Sequence, residues 1–324
     1  MGAGTAALGA VGGLSGCSAI QDLIPGGGGL GAYTKWTYAP DTFKSDQESL
    51  SLGATSYKSI LSNSGKIDED RRESIVTRNY PDLGISAEDI ALELNLPQGR
   101  VITGSFDTDA AKSELTASKA STPENSFGNS FTGSTEYESD GEYEGWEIFV
   151  QSEPDTSPNA YAIGNGNILE AQYVTNSSND ASEVEAPDVA EGMIDTGTNG
   201  DNRYVDNNDT FSTLTDKLDN GVSLSVNMPQ YEVGSEDGAN ENIPAGNFEG
   251  VVATGQSTSI NGGTTKVKWV YVYDSEGDVD QGDVDEWIEA NNTGEGSLSN
   301  YNDLSSSTDG NVATVTGKIP TFAY

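Results

Sequence analysis

Val222-Ser223-Leu224-Ser225-Val226-Asn227-Met228 alternates without a break between apolar and polar side chains. On an extended chain, successive side chains point to opposite faces, so one face is greasy and the other wet. Antiparallel sheets carry such strands, whereas all-parallel sheets, covered on both sides, read as continuous apolar runs. Val267, Trp269, Tyr271 and Tyr273 recur at the same spacing, and Trp146, Ile148 and Val150 share a face in the same way. Arg100 to Phe106 reads as a buried strand. Gly164-Asn165-Gly166-Asn167 predicts a hairpin between Tyr161–Ile163 and Ile168–Val174, because Asn and Gly tolerate the positive φ of tight turns. Asn261-Gly262 and Asp309-Gly310 are further turn pairs.

Between the strands, helix starts and 3.6-residue periodicity predict short amphipathic helices. Ser86 precedes Ala87, Ile90, Ala91 and Leu94. Pro187 suits a first helical turn before Val189, Ala190 and Met193. Asp209 precedes Phe211, Leu214 and Leu218. Asp283 precedes Val284, Trp287 and Ile288, with Glu286 placed to complete a capping box. A shorter helix is expected from Thr108 through Ala111 and Leu115. Adjacent hairpins with interspersed helices define an α+β fold with mainly antiparallel sheets. Val101–Leu115 and Val267–Ile288 each run from an apolar strand through an Asp-rich turn into a short helix, which suggests two related subdomains. The stretches 62–82, 119–142, 175–183, 196–208, 230–246 and 292–308 are polar and aperiodic, and read as loops.

Of the 324 residues, 52 are Asp or Glu and 15 are Lys or Arg, giving a net charge of -37. The acids are spread along the chain beside four Trp and 14 Tyr, unlike a disordered acidic tail. Such a surface suits a folded protein in molar salt, where the Debye length is only about 3 Å and carboxylate repulsion is screened. On dialysis to low salt the fold is expected to be lost. Nucleic acid is excluded as a partner, because phosphate binding needs basic patches. The absence of histidine removes Ser-His-Asp and Cys-His catalysis and His-ligated zinc. A single cysteine, Cys17, excludes an internal disulfide.

Residues 1–16 carry no charged side chain and are too short and too weakly apolar to span a bilayer. They read as the apolar region of a secretion signal. Leu14-Ser15-Gly16-Cys17 resembles a lipobox, in which small residues precede the cysteine that receives lipid after cleavage. Gly2 to Leu8 looks like the apolar stretch of the twin-arginine lipoprotein signals of haloarchaea. The resemblance implies a secreted haloarchaeal lipoprotein, exported and anchored to the outer face of the cell membrane through Cys17. It covers these 17 residues and no more; the body of the chain resembles no characterised family. It also lacks the upstream arginine pair, so either the true start lies earlier or export takes another route. The expected organisation is a signal at 1–16, a lipidated Cys and Gly-rich tether at 17–32, and α+β subdomains at 33–196 and 197–324.

Asp274, Glu276, Asp278 and Asp280 alternate in a segment that could hold calcium through carboxylate oxygens, although its glycine misses the EF-hand register. Asp195 to Asp201 is a second, weaker run. Asn176, Asn208 and Asn291 begin Asn-X-Ser/Thr sequons, which suit an exported protein. Trp146, Trp269 and Trp287 could form a sugar platform but fall on apolar faces, as core residues do. The sequence picks out no catalytic pair and no cofactor site. The expected role is that of a non-enzymatic surface protein with a structural or interaction function. A ligand- or solute-binding lipoprotein is the alternative, and a carboxylate-dependent secreted hydrolase the second.

Overall fold

The alternating stretch becomes a central strand of one large sheet. A computed structural model of the protein describes residues 30–44, 47–77, 79–80, 83–117, 136–152, 159–174, 183–230, 248–294 and 296–321. In chain order the strands are β1 (Leu50–Thr55), β2 (Asn79–Tyr80), β3 (Ile85–Ser86), β4 (Ile90–Leu96), β5 (Gly99–Gly104), β6 (Tyr137–Tyr143), β7 (Trp146–Gln151), β8 (Asn159–Gly164) and β9 (Asn167–Gln172). They continue as β10 (Ser223–Met228), β11 (Val251–Asn261), β12 (Thr264–Tyr273), β13 (Asn302–Asp309) and β14 (Val312–Pro320). The helices are α1 (Tyr33–Trp36), α2 (Tyr57–Leu61), α3 (Glu69–Val76), α4 (Thr108–Thr116), α5 (Ala186–Ile194), α6 (Tyr204–Asn207), α7 (Asp209–Lys217) and α8 (Gln281–Asn291).

Twelve strands form one sheet in the order β13-β14-β12-β11-β10-β1-β4-β5-β9-β8-β7-β6, while β2 and β3 pair separately. Every pairing is antiparallel. The fold is therefore α+β with a mainly antiparallel sheet, as the alternation requires. The hairpin at Asn165-Gly166 closes with both residues at positive φ, 51° and 75°, the geometry in which a two-residue turn matches strand twist.

Sheet register assigns each strand residue to a face. On the first face Leu52, Leu94, Val101, Trp146, Leu169, Leu224, Val226 and Val270 join one extended apolar cluster. It is roofed by Tyr33 and Trp36 of α1, Val189 and Met193 of α5, and Phe211 and Leu214 of α7. Leu30, within the expected tether, is fully buried in this cluster, so the packed body includes that position. The opposite face carries two separate clusters. Ile102, Phe149, Ile163 and Ile168 are covered by Ile60 of α2, Ile75 of α3 and Leu115 of α4. Val315, Ala313 and Tyr273 are covered by Val284 and Trp287 of α8 and by Phe248.

The two stretches with a shared sequence pattern occupy equivalent places. Hairpin β4–β5 leads into α4 and flanks β1; hairpin β11–β12 leads into α8 and flanks β10. The antiparallel β1–β10 pair joins these units, so the sheet runs unbroken from one to the other.

The segment expected as a helix after Ser86 folds differently. A single 3₁₀ turn, Ala87–Asp89, gives way to β4. Ile90, Leu92, Leu94 and Leu96 also alternate, and both faces of this central strand are covered, so helical and extended spacings coincide in it. Cap positions shift as well. Asn208, not Asp209, caps α7, and Asp280, not Asp283, caps α8. Four stretches read as loops contain elements: α3 and β2 lie within 62–82 and α6 within 196–208, while β6 begins inside 119–142 and β13 inside 292–308.

Candidate functional site

Among the described residues, no helix covers the wet side of the opening stretch. Ser225 and Asn227 lie on the face that carries the two flanking clusters, in the gap between them. Their neighbours follow from register. Asn227 is paired with Ser51 on β1 and Thr254 on β11. Ser225 is paired with Gln256. Trp269 and Tyr271 on β12 stand opposite Gln256 and Thr254. These residues, with Val226 and Gly255, line an open groove of about 320 Å³. The gap exists because β1 and β10 present hydroxyls and amides here. There is no apolar surface for a helix to bury, whereas on either side Ile102 and Val315 recruit α4 and α8.

The groove holds two kinds of group. Ser51, Ser225 and Asn227 are exposed, and Thr254 and Gln256 are half-buried. Each can donate and accept a hydrogen bond. At the far wall Trp269 is half-buried, unlike the core residues Trp146 and Trp287. The indole N–H of Trp269 donates to Gln256 Oε1 at 2.9 Å, and its ring meets Tyr301 edge to face at 5.0 Å. Tyr271 stacks on Phe248 with ring centroids 4.5 Å apart. Burial, helped by neighbouring Tyr273, pushes the Tyr271 phenol well above its ordinary range, so it stays neutral. No charged side chain lines this groove among the described residues.

Toward β5 the same face changes character. Asn95 stands opposite Gly53 and Arg100, and Arg100 stands opposite Glu170. Arg100 and Glu170 form an ion pair, and the guanidinium lies over the Tyr80 ring at 5.0 Å. Burial works against the charge on Arg100, but Glu170 and Glu93 outweigh it and hold its pKa above the usual value. This cluster is a charged neighbour of the groove and not part of its lining.

A second, larger hollow of about 680 Å³ opens at the corner formed by Asn261, Lys266, Asn302, Asp303 and Lys318. Its lysines are committed to carboxylates, Lys266 to Asp219 at 3.1 Å and Lys318 to Asp303 at 3.0 Å. That leaves it internally compensated.

The residues singled out from sequence are placed as follows. Asp274, Glu276, Asp278 and Asp280 are all exposed and are not drawn together; no group of metal-holding side chains occurs among the described residues. Asp278 accepts from Ser275 Oγ at 2.7 Å, and Asp280 accepts from the Gly282 N–H at 2.7 Å as the cap of α8. Local hydrogen bonds, one from a side chain and one from the backbone, thus account for two of the four. In the second acidic run, Asp195 accepts from the Tyr143 hydroxyl and from Asn199. Asn208 Oδ1 accepts from the Phe211 N–H at 2.8 Å while its Nδ2 donates to Tyr204 at 2.9 Å. Asn291 Nδ2 donates to the Trp287 carbonyl at 2.9 Å. Cys17 and Asn176 lie outside the described residues.

Sequence reasoning missed the groove, though half of its signal is in the quoted stretch. Ser225 and Asn227 are visibly on a wet face. Strand order, which brings Ser51 and Gln256 beside them, is not legible from spacing.

No protein-family model matches the chain, and no curated protein matches it. A solved structure titled "Structure of crystal form III of TP0453" is similar at 8% identity and a TM-score of 0.47, over 89% of this chain and 94% of that one. At that distance nothing about role is taken from it.

Proposed function

We propose that the chain is an exported surface protein of a salt-loving archaeon, held at the outer face of the membrane by a lipid on Cys17, and that its role is to bind rather than to catalyse. The observation that carries the binding role is the groove between the two helix-capped clusters. Among the described residues it is an uncharged, concave strip with convergent hydrogen-bonding groups, on a molecule of net charge -37. The lipobox-like Leu14-Ser15-Gly16-Cys17 and the acid-rich composition support the address. The histidine-free sequence and a lining that holds no carboxylate among the described residues favour binding over hydrolysis.

Cys17 is the single cysteine, which makes a direct test possible. Ser225→Cys places a thiol in the groove. On intact cells in molar salt, a membrane-impermeant maleimide should label this variant and leave the wild-type protein, whose cysteine carries lipid, unlabelled. Cys17→Ser should move the protein into the medium or leave it unprocessed. Labelling that requires lysis, or a Cys17→Ser protein that stays membrane-bound at the mature mass, overturns the proposal.

A further inference from the structure

We infer that the groove takes an uncharged polyhydroxylated ligand, a neutral oligosaccharide. This deepens the reading of the groove as a binding site and rests on it. The first argument is the missing charge. Where edge strand β6 meets solvent it bears the acids Glu138, Asp140 and Glu142, and edge strand β13 sets Asp303 and Asp309 about its exposed Ser305, Ser307 and Thr308. At the equivalent wet positions of β1, β10 and β11 stand Ser51, Ser225, Asn227, Thr254 and Gln256. In a chain with 52 carboxylates, a contiguous strip of hydroxyls and amides selects for a ligand that offers donors and acceptors together.

The second argument is spacing. Ser51, Asn227, Thr254 and Tyr271 form one row across four adjacent strands, and Ser225, Gln256 and Trp269 form the next. Adjacent strands lie about 4.8 Å apart, so each row is a ladder of polar groups ending on an aromatic. A string of sugar rings laid along the rows meets a new polar side chain at every strand.

The third is the aromatic wall. The one polar atom of the Trp269 indole is engaged by Gln256, so what remains to offer a ligand is ring surface. Sugars present C–H faces to such rings and hydroxyls to amides. A peptide strand would need free backbone partners, but β10, β11 and β12 are paired on both sides at Ser225, Asn227, Thr254, Gln256, Trp269 and Tyr271. A polyanion would find no base in the lining. An apolar ligand would leave five polar side chains desolvated.

The test uses the purified full chain in molar KCl, titrated with malto-, cello-, manno- and chito-oligosaccharides and followed by calorimetry. One series is expected to bind. Asn227→Ala and Gln256→Ala should each weaken it by roughly two- to tenfold, the value of one neutral hydrogen bond. Trp269→Ala should weaken it by tenfold or more. Asn227→Asp puts charge on an exposed position without disturbing the core, and should also weaken binding. Saccharide binding unaffected by any of these changes places the ligand elsewhere and overturns both the inference and the groove. If no saccharide binds but an uncharged peptide library does, with the same sensitivity, the sugar assignment falls and the binding groove stands. If neither binds, both fall.

Discussion

Asn208 does two jobs whose contributions can be separated. It begins a sequon, and it caps α7 with Oδ1 while its Nδ2 donates to Tyr204. The capped N–H belongs to Phe211, whose fully buried ring anchors α7 in the large cluster. Losing an Asn cap costs about 0.5–2 kcal/mol. The bond to Tyr204 adds about 0.5–1.5 kcal/mol at most, and less here because the site is half-buried and water can replace the donor. Asn208→Ala should therefore destabilise the protein by about 1–2.5 kcal/mol. Asn208→Asp keeps the acceptor, and its charge suits the helix N-terminus, so it should stay within about 0.5 kcal/mol of the parent. Both variants abolish the sequon, so a difference between them reports the cap and not a glycan. The measurement is thermal melting in molar KCl of protein made in a host that does not glycosylate. If Asn208→Ala and Asn208→Asp melt together at the parental temperature, the cap assignment is refuted.

Gly197 offers a steric test: a Cβ there would lie 1.9 Å from Cζ3 of Trp36. Relieving that overlap moves by about 1.5 Å a buried ring that is held in edge-to-face contact with Trp146. Gly197→Ala should thus cost about 1–3 kcal/mol in a melt, although Gly→Ala alone would stabilise by about 0.4–1 kcal/mol. A rise in melting temperature would show the contact to be misplaced. Asp219 sets part of the acid response. Burial raises its carboxyl, but hydrogen bonds from Lys268 and Lys266 outweigh this and hold it below the ordinary value. Its contribution is present above about pH 4, the unfolded value, and is lost as pH falls through the lowered folded value. Asp219→Asn should therefore lose less stability than the parent on acidification, and superimposable acid limbs would argue against the pairing.

The most legible strand is β10, because burial on a single side leaves an alternating trace; β7 and β12 are read from one apolar face although both of their faces are packed. β4 also alternates, at Ile90, Leu92, Leu94 and Leu96, but Ile90, Ala91 and Leu94 fit a helical stripe equally well, so its trace is ambiguous. α3 was invisible for a different reason, since Ile75 is its only buried residue. β13 exposes nearly all its side chains, so it is a strand by virtue of pairing with β14 rather than by its own pattern. The site divides along the same line. Its wet face could be read from Ser225 and Asn227, but its walls come from strands 170 residues and more upstream or some 30 to 45 residues downstream, and pairing of that range leaves no periodic signal.

The sheet ends in two open margins, β6 and β13. Strand margins invite other strands, and proteins in dilute buffer commonly repel such approaches with charge. In the molar salt proposed for this protein that repulsion would be screened within about 3 Å, and Glu138 and Asp140 would make weak sentries. Shape takes over the duty. Each margin breaks register against its neighbour, between Ser139 and Gly141 on one side and between Asn302 and Ser305 on the other. Gly141 and Asp303 hold the positive φ, 140° and 53°, that keeps these margins out of true. A newcomer would have to straighten the chain before it could add a rung, a barrier that salt does not dissolve.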